Sequence, residues 1–364
     1  MAATELLNAD IDAALNEARE RYVAANGKSL ARYVEATAAM PGGNTRTVLH
    51  YAPFPVAMVR AEGCRLWDAD GHEYVDFLGE YTAGIYGHSH PRIRAAVDAA
   101  LDRGINFGAS NMTEARFARA VCDRFGLERV RFTNSGTEAN LLAISLARVF
   151  TKRKKVLTMD GGYHGAVFGF AGGGSPINAP FEFVLAPYND IEGTRALIAR
   201  HADDLAVIAL EPMMGSGGCI AADPAFLEML RAEATRVGAL LIFDEVMTSR
   251  LSPGGLQAVR GVKPDLTTLG KYIGGGMSFG AFGGRADVMD LFDPRRPDAL
   301  PHAGTFNNNV LTMNAGLVGL TEIYTPDAAM ALNARGDALR ERLNAACLRA
   351  GAPLQFTGIG SMIA

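Results

Sequence analysis

The spacing of hydrophobic positions changes along the chain, and the changes predict its elements. Up to about Tyr33 the apolar positions recur at helical intervals. Pro41-Gly42-Gly43-Asn44-Thr45-Arg46 then reads as a loop, because Pro, Gly and Asn favour turns. Val56 to Val59, Arg65-Leu66-Trp67 and Tyr74-Val75-Asp76-Phe77 are short, rich in β-branched and aromatic residues, and broken at Glu62-Gly63 and Asp68 to Gly71. They predict a small antiparallel sheet. From about Pro91 helix-like and strand-like segments alternate, the pattern of a parallel sheet covered on both faces.

The clearest unit runs from Leu205 to Phe243. Leu205 to Leu210 is an unbroken apolar run, and Asp223-Pro224 supplies an N-cap and a first-turn proline. Phe226, Leu230, Ala234 and Val237 follow at helical spacing, Gly238 stops the helix, and Ala239 to Phe243 forms the next strand. Right-handed crossover makes the two strands parallel and puts Glu211 and Asp244 just past their carboxyl ends, on the edge where open α/β sheets hold ligands. After Thr312 one helix is predicted through Tyr324 and another from about Pro326 to Ala350. Gly358 to Ala364 reads as a strand just begun, so part of a second lobe is expected to be missing.

Composition narrows the function. The 364 residues, 49% hydrophobic and 20% charged, suit two to three globular domains of roughly 150 residues and exclude general disorder. With a net charge of −4 and no basic block beyond Lys152-Arg153-Lys154-Lys155, no nucleic-acid partner is expected. The cysteines at 64, 122, 219 and 347 form no C-x-x-C pair, so no metal site is expected and a reducing compartment is. The acidic start is unlike a signal peptide, and no apolar run approaches the roughly 18 to 20 residues that span a bilayer. A cytoplasmic protein without membrane contact is the expectation.

Four features carry possible chemistry. Ser135 and Glu138 have capping-box spacing ahead of the apolar helix Ala139 to Phe150. Ser135, Gly136 and Thr137 could serve as a plain cap or as a phosphate cradle at a helix N-terminus. Asp244 closes a buried strand, where a carboxylate needs a cation or several donors. Lys271 lies between Leu266 to Gly270 and the flexible Gly274-Gly275-Gly276. Tyr163 puts an aromatic ring near the same edge. Phosphate anchor, buried acid, lysine and aromatic plate together are what pyridoxal phosphate needs. No G-x-G-x-x-G turn supports a dinucleotide instead.

Asn134 to Ala139, Gly162-Tyr163-His164-Gly165, Glu211-Pro212, Phe243 to Val246 and Gly270-Lys271 stand in the order and spacing of class III aminotransferases, which the chain resembles over nearly its whole length. Leu66 to Gly71, Gly87 to Pro91 and Lys271 to Gly276 lean toward the branch containing glutamate-1-semialdehyde aminomutases. Tyr51 to Pro55, Glu80 to Gly84, Asp244 to Leu251 and Gly304 to Asn309 look more closely like bacterial β-phenylalanine aminotransferases.

The resemblance implies an α/β, fold type I pyridoxal phosphate enzyme with a mainly parallel large domain and a smaller α+β domain. It divides the chain into an N-terminal helix and loop (1–60), a cofactor-binding domain (61–318) and the start of a C-terminal domain (319–364). It makes Lys271 the Schiff-base lysine and proton shuttle, and Asp244 the partner of the pyridine nitrogen. Ser135, Gly136 and Thr137 would hold the phosphate, joined by Thr305 of a neighbouring subunit in a homodimer with shared sites. Tyr163 and Val246 would pack on the two faces of the ring, with Glu211 nearby. Arg46 would take the substrate carboxylate and Tyr81 would line the pocket. The implied reaction moves an amino group from an aromatic β-amino acid to a keto acid such as 2-oxoglutarate. The glutamate-1-semialdehyde aminomutase reaction, or that of another class III amine or amino acid transaminase, is the alternative.

Overall fold

The computed structural model describes residues 10–364. Contacts divide them into two compact units, residues 10–79 with 87–90, and residues 80–86 with 91–364.

In the first unit the single helix predicted to Tyr33 is two, Ile11–Ala25 and Gly27–Thr37. Asn26 breaks the run: it leaves the helical region at φ −127° and ψ 44°, and its amide donates back to the Tyr22 carbonyl. The second helix takes its N-terminal acceptor from a distant residue. Asp70 accepts from the Lys28 and Ser29 amides at 2.7 and 3.0 Å and from the Ser29 hydroxyl at 2.6 Å. The predicted antiparallel sheet is present, with strands β1 (Met58–Glu62), β2 (Arg65–Asp68) and β3 (Glu73–Val75) in that order. Their boundaries are displaced by up to three residues from the predicted ones, the usual weakness of boundaries read from composition.

The second unit is built on a seven-stranded sheet. Its strands and the short hairpins beside it are, in chain order, β4 (Arg129–Thr133), β5 (Lys155–Met159), β6 (Glu182–Ala186), β7 (Leu205–Leu210), β8 (Met213–Met214), β9 (Ile220–Ala221), β10 (Leu240–Asp244), β11 (Leu266–Gly270), β12 (Gly280–Gly284), β13 (Gly358–Ile359) and β14 (Met362–Ile363). The sheet order is β4-β12-β11-β10-β7-β5-β6, parallel except for β12, which runs against both neighbours.

The predicted crossover holds: β7 and β10 pair in parallel around the helix Pro224–Val237, and Gly238 ends that helix at φ 72°. Asp223 occupies the N-cap without a side-chain hydrogen bond. Every residue of β7, β10 and β11 is buried. Alternate residues face opposite layers, as strand geometry requires. Val207, Ala209, Leu240 and Ile242 pack with Ala143, Ile144 and Ala147 of the helix Gly136–Thr151. Ile208, Leu210, Leu241 and Phe243 pack with Phe226, Leu227 and Leu230.

Two C-terminal expectations are modified. The helix predicted from Thr312 starts at Val310, because Asn309 accepts from the Leu311 and Thr312 amides, and it widens into a π turn at Gly319–Ile323. Helix Pro326–Ala350 forms as predicted. The last residues make a two-stranded hairpin, β13 with β14, that turns through Gly360 at φ 55°.

Candidate active site

Asp244 ends β10 with its side chain 6% exposed. Its Oδ2 accepts from the Asn140 amide at 2.8 Å and pairs with His164 Nδ1 at 2.8 Å, while Oδ1 accepts from the Val246 amide at 3.0 Å. The network continues on both sides. Thr268 of β11 donates to Asn140 Oδ1 at 2.7 Å, and His164 Nε2 lies 3.1 Å from the Thr158 hydroxyl of β5. All five residues are buried. Burial opposes a charge on His164, but the Asp244 hydrogen bond and charge, with Glu211, outweigh it and raise its pKa.

The start of the helix Gly136–Thr151 lies against this carboxylate. A Cβ on Gly136 would stand 2.9 Å from Val246 Cγ2, and one on Gly270 would stand 3.3 Å from Val246 Cγ1 and 3.6 Å from the Gly136 nitrogen. Val246, the helix start and the end of β11 therefore touch, with Lys271 next in the chain. Ser135 caps the helix by accepting from the Glu138 amide at 3.2 Å. The capping box is not reciprocal, since Glu138 turns to the amides of Asn134 instead. The Gly136 and Thr137 N–H groups that precede it in the first turn have no acceptor within the helix and are available to an anion. Thr137 Oγ1 accepts from the Ala166 amide at 3.1 Å.

Glu211 is buried one residue past β7. Its two carboxylate oxygens accept from the Tyr163 amide at 2.9 Å and the Gly215 amide at 3.0 Å. Burial pushes its pKa up to about 7; His164 and the two amides oppose that rise, and the Asp244 charge adds to it. The Tyr163 ring is half exposed. Lys271 is half-buried with its backbone at φ 54°, and its ammonium donates to the Tyr81 carbonyl at 2.6 Å. Tyr81 sits in a turn whose residues Glu80, Tyr81 and Thr82 all have positive φ.

The structure thus gathers Ser135, Gly136, Thr137, Tyr163, Glu211, Asp244, Val246 and Lys271 at the carboxyl edge of one sheet. Thr305 is exposed on a loop tied to the helix start through Asn307, whose Oδ1 accepts from the Asn134 amide at 3.0 Å. Arg46 belongs to the other unit. It is exposed and lines a cavity of about 690 Å³ with Met40, Pro41, Gly42, Asn44, Thr45, Thr47 and His50. Sequence reasoning assigned no role to Asn140, Thr158, His164 or Thr268. The signal for Asn140 was present as a polar residue on the buried face of an otherwise apolar helix, and for Thr268 as a hydroxyl within a buried strand.

Residues 48–364 match the family described as aminotransferase class-III. The chain belongs to the class III aminotransferases. A β-phenylalanine transaminase of Variovorax paradoxus is 57% identical over 359 residues, which are 98% of this chain and 82% of that protein. The crystal structure of a β-phenylalanine aminotransferase from V. paradoxus superposes with a TM-score of 0.95, at 58% identity, covering 97% of this chain and 82% of that one. A glutamate-1-semialdehyde 2,1-aminomutase of Heliobacterium modesticaldum is 38% identical over 91% of this chain and 80% of its own. A solved transaminase with PLP bound superposes at 0.88, with 36% identity over 92% of this chain and 82% of that structure. As an aminotransferase of this class, the chain has the α/β fold of its solved relatives.

The donor set suits a cationic heterocycle bearing a phosphate. Asn140 and His164 occupy one oxygen of Asp244, and the other takes only the Val246 amide, which leaves it lone-pair capacity for a further donor. Among the described residues no group of three His, Cys, Asp or Glu side chains could hold a metal ion, and no helix is long and apolar enough to cross a membrane.

Proposed function

We propose that this aminotransferase takes the amino group from an aromatic β-amino acid of the β-phenylalanine type and passes it to a keto acid such as 2-oxoglutarate, using pyridoxal phosphate in a homodimer with shared sites. The observation that carries the reading is Asp244, buried at the end of β10 under two side-chain hydrogen bonds, with Lys271 just past the end of the paired strand β11. The relatedness to a β-phenylalanine transaminase supplies the donor class. The division at 60 and 318 and a cytoplasmic location belong to the same proposal.

Pyridoxal phosphate, when bound, supplies a carbonyl that takes up the amino group and a ring that accepts the electron pair left when a proton leaves the substrate carbon. Asp244 holds the ring nitrogen protonated, an interaction that strengthens because both partners are out of water. Asn140 and His164 fix the carboxylate so that it does not reorganise during the reaction. Lys271 would hold the cofactor's carbonyl group until a substrate amine displaces it, and its freed amine would then take up and return the substrate proton as a general base. Ser135, Gly136 and Thr137 of one subunit and Thr305 of the other hold the phosphate. Tyr163 and Val246 confine the ring, and Glu211 fixes the Tyr163 amide. The Arg46 guanidinium takes the donor's carboxylate in a bidentate grip, and Tyr81 lines the donor pocket.

The test is the absorption spectrum of the cofactor-loaded protein on adding (S)-β-phenylalanine with no keto acid present. Loss of the yellow band with growth of the pyridoxamine phosphate band is expected. A yellow protein that ignores this donor and bleaches with glutamate semialdehyde would replace the substrate proposed here with that of the aminomutases.

A further inference from the structure

Glu80, Tyr81, Thr82 and Lys271 all have a left-handed backbone, at φ 51°, 54°, 74° and 54°. Three of them are consecutive, and one is β-branched, the kind of side chain that tolerates this region least. Such residues persist only where neighbouring structure holds them, a condition met most often at functional sites. What the turn presents is the Tyr81 carbonyl, which accepts from the Lys271 ammonium at 2.6 Å. The next carbonyl, that of Thr82, accepts from Arg250 Nη1 at 3.2 Å.

Arg250 reaches this turn from the short segment Thr248–Leu251, a few residues past Asp244. It is buried. Burial lowers its pKa against the opposing effect of the Tyr324 and Tyr272 phenols, and no carboxylate acts on it. A guanidinium taken out of water without a carboxylate is destabilising, which sets Arg250 apart from an ordinary packing residue. Its surroundings hold it firmly. Its Nε donates to the Ser361 hydroxyl at 3.0 Å, and its own carbonyl accepts from the Tyr324 hydroxyl at 2.6 Å and the Asn333 amide at 2.8 Å. Asn333 belongs to the helix Pro326–Ala350, and its Oδ1 accepts from the Ser361 amide at 2.8 Å. Tyr324 and that helix fix the Arg250 backbone, Ser361 fixes its guanidinium, and Nη1 carries the constraint to Thr82.

We propose that Arg250 is a positioning residue for Lys271: by holding the Thr82 carbonyl it keeps the Glu80–Thr82 turn left-handed, and the Tyr81 carbonyl then orients the lysine amine. A lysine ends a flexible four-carbon stem, so its amine has little preferred direction of its own. Once deprotonated, an amine that donates one hydrogen to a fixed carbonyl turns its lone pair away from that carbonyl. Lys271 needs the lone pair twice, to bond the cofactor's carbonyl carbon and to take up the substrate proton. In the first use the lone pair forms the C–N bond, and the carbonyl oxygen leaves as water with the amine's two hydrogens. The hydrogen bond to Tyr81 is therefore given up only as that bond is completed. This role rests on Lys271 being the residue that bonds the cofactor.

The test follows formation of the bond rather than turnover. Cofactor-free protein is mixed with pyridoxal phosphate and quenched with borohydride at intervals, and the cofactor fixed on the Lys271 peptide is measured by mass spectrometry. In Arg250→Gln the rate at saturating cofactor is expected to fall about tenfold, with the half-saturating concentration within about twofold of native, as when a reacting group is misaligned and binding is intact. Arg250→Lys keeps a donor for the Thr82 carbonyl and should recover most of the rate. Ser361→Ala removes only the hairpin contact, so it is expected to lower Tm and leave the rate native. Thr82→Pro imposes a φ of about −65° and breaks the turn from its own side. It should slow the bond as Arg250→Gln does, and it keeps the test decisive if the arginine variant does not fold. Native rates in Arg250→Gln or Thr82→Pro overturn the proposal, as does equal slowing in Ser361→Ala or an Arg250→Lys rate no better than that of Arg250→Gln. If the native chain instead fixes the cofactor on a residue other than Lys271, the reading of Lys271 itself fails, and this role with it.

Discussion

Asp244 and Glu245 are neighbours in the chain with opposite surroundings, and each makes its own prediction. Asp244 keeps an acceptor oxygen for a ligand, and the resemblance already singled it out. Asp244→Asn keeps the shape but removes the charge that stabilises a protonated ring nitrogen. It is expected to lower kcat by about 10²- to 10³-fold while cofactor binding persists, as steady-state rates and cofactor absorbance would register. Glu245 is wholly buried and spends its oxygens inside the protein, on the Thr248 hydroxyl at 2.5 Å and the Leu256 and Gln257 amides at 3.1 and 2.5 Å. Burial pushes its pKa up to about 7, and the Asp244 charge adds to that rise against these three donors. A carboxyl raised in the folded state favours folding fully below its unfolded pKa near 4.5, and that contribution is lost as pH rises through about 7. Tm should therefore fall between pH 5 and 8 in the native chain and fall less steeply in Glu245→Gln, as thermal melts across that range would show. His164 escaped the sequence reading because its role depends on a partner 80 positions away, and no local pattern announces such a pairing.

Among the elements, those set by local chemistry were legible. Pro224, Gly238 and the apolar runs of β7 and β10 give the crossover its bounds to within a residue. Elements that depend on distant partners were not. The second N-terminal helix receives its capping carboxylate from Asp70, more than forty positions away, so the break at Asn26 has no cap signal of its own. The helix Pro224–Val237 puts Phe226 wholly within the layer formed by Ile208, Leu210 and Leu241. Phe226→Ala removes most of that ring and leaves a cavity, which is expected to destabilise the fold by about 3–5 kcal/mol in chemical denaturation.

For the whole molecule, the class and the carboxyl edge of the sheet followed from the order of the motifs, while the sharing of residues between subunits has no signature in a single chain. The proposed placement of Thr305 makes subunit sharing testable without a structure of the dimer. Lys271→Ala and Thr305→Ala should each be nearly inactive alone. Unfolding and refolding an equal mixture creates mixed dimers in which one of the two sites has both residues intact. Random pairing then restores roughly a quarter of native activity in a coupled transamination assay. Restoration near zero would place both residues in the same subunit's site.

The position of β12 reaches into how the protein is made. It lies between β4, whose end leads into the helix Gly136–Thr151, and β11, whose end leads into Lys271, and it pairs with both. In the growing polypeptide β4 must wait for roughly 150 further residues before that partner is translated, about 7 to 30 seconds at ordinary elongation rates. Until then one edge of the nascent sheet stays unpaired, open to association with other chains. The strands on either side of the candidate site are joined through the sheet only when Gly280 to Gly284 pairs between them, so that edge is among the last parts of the sheet to be completed.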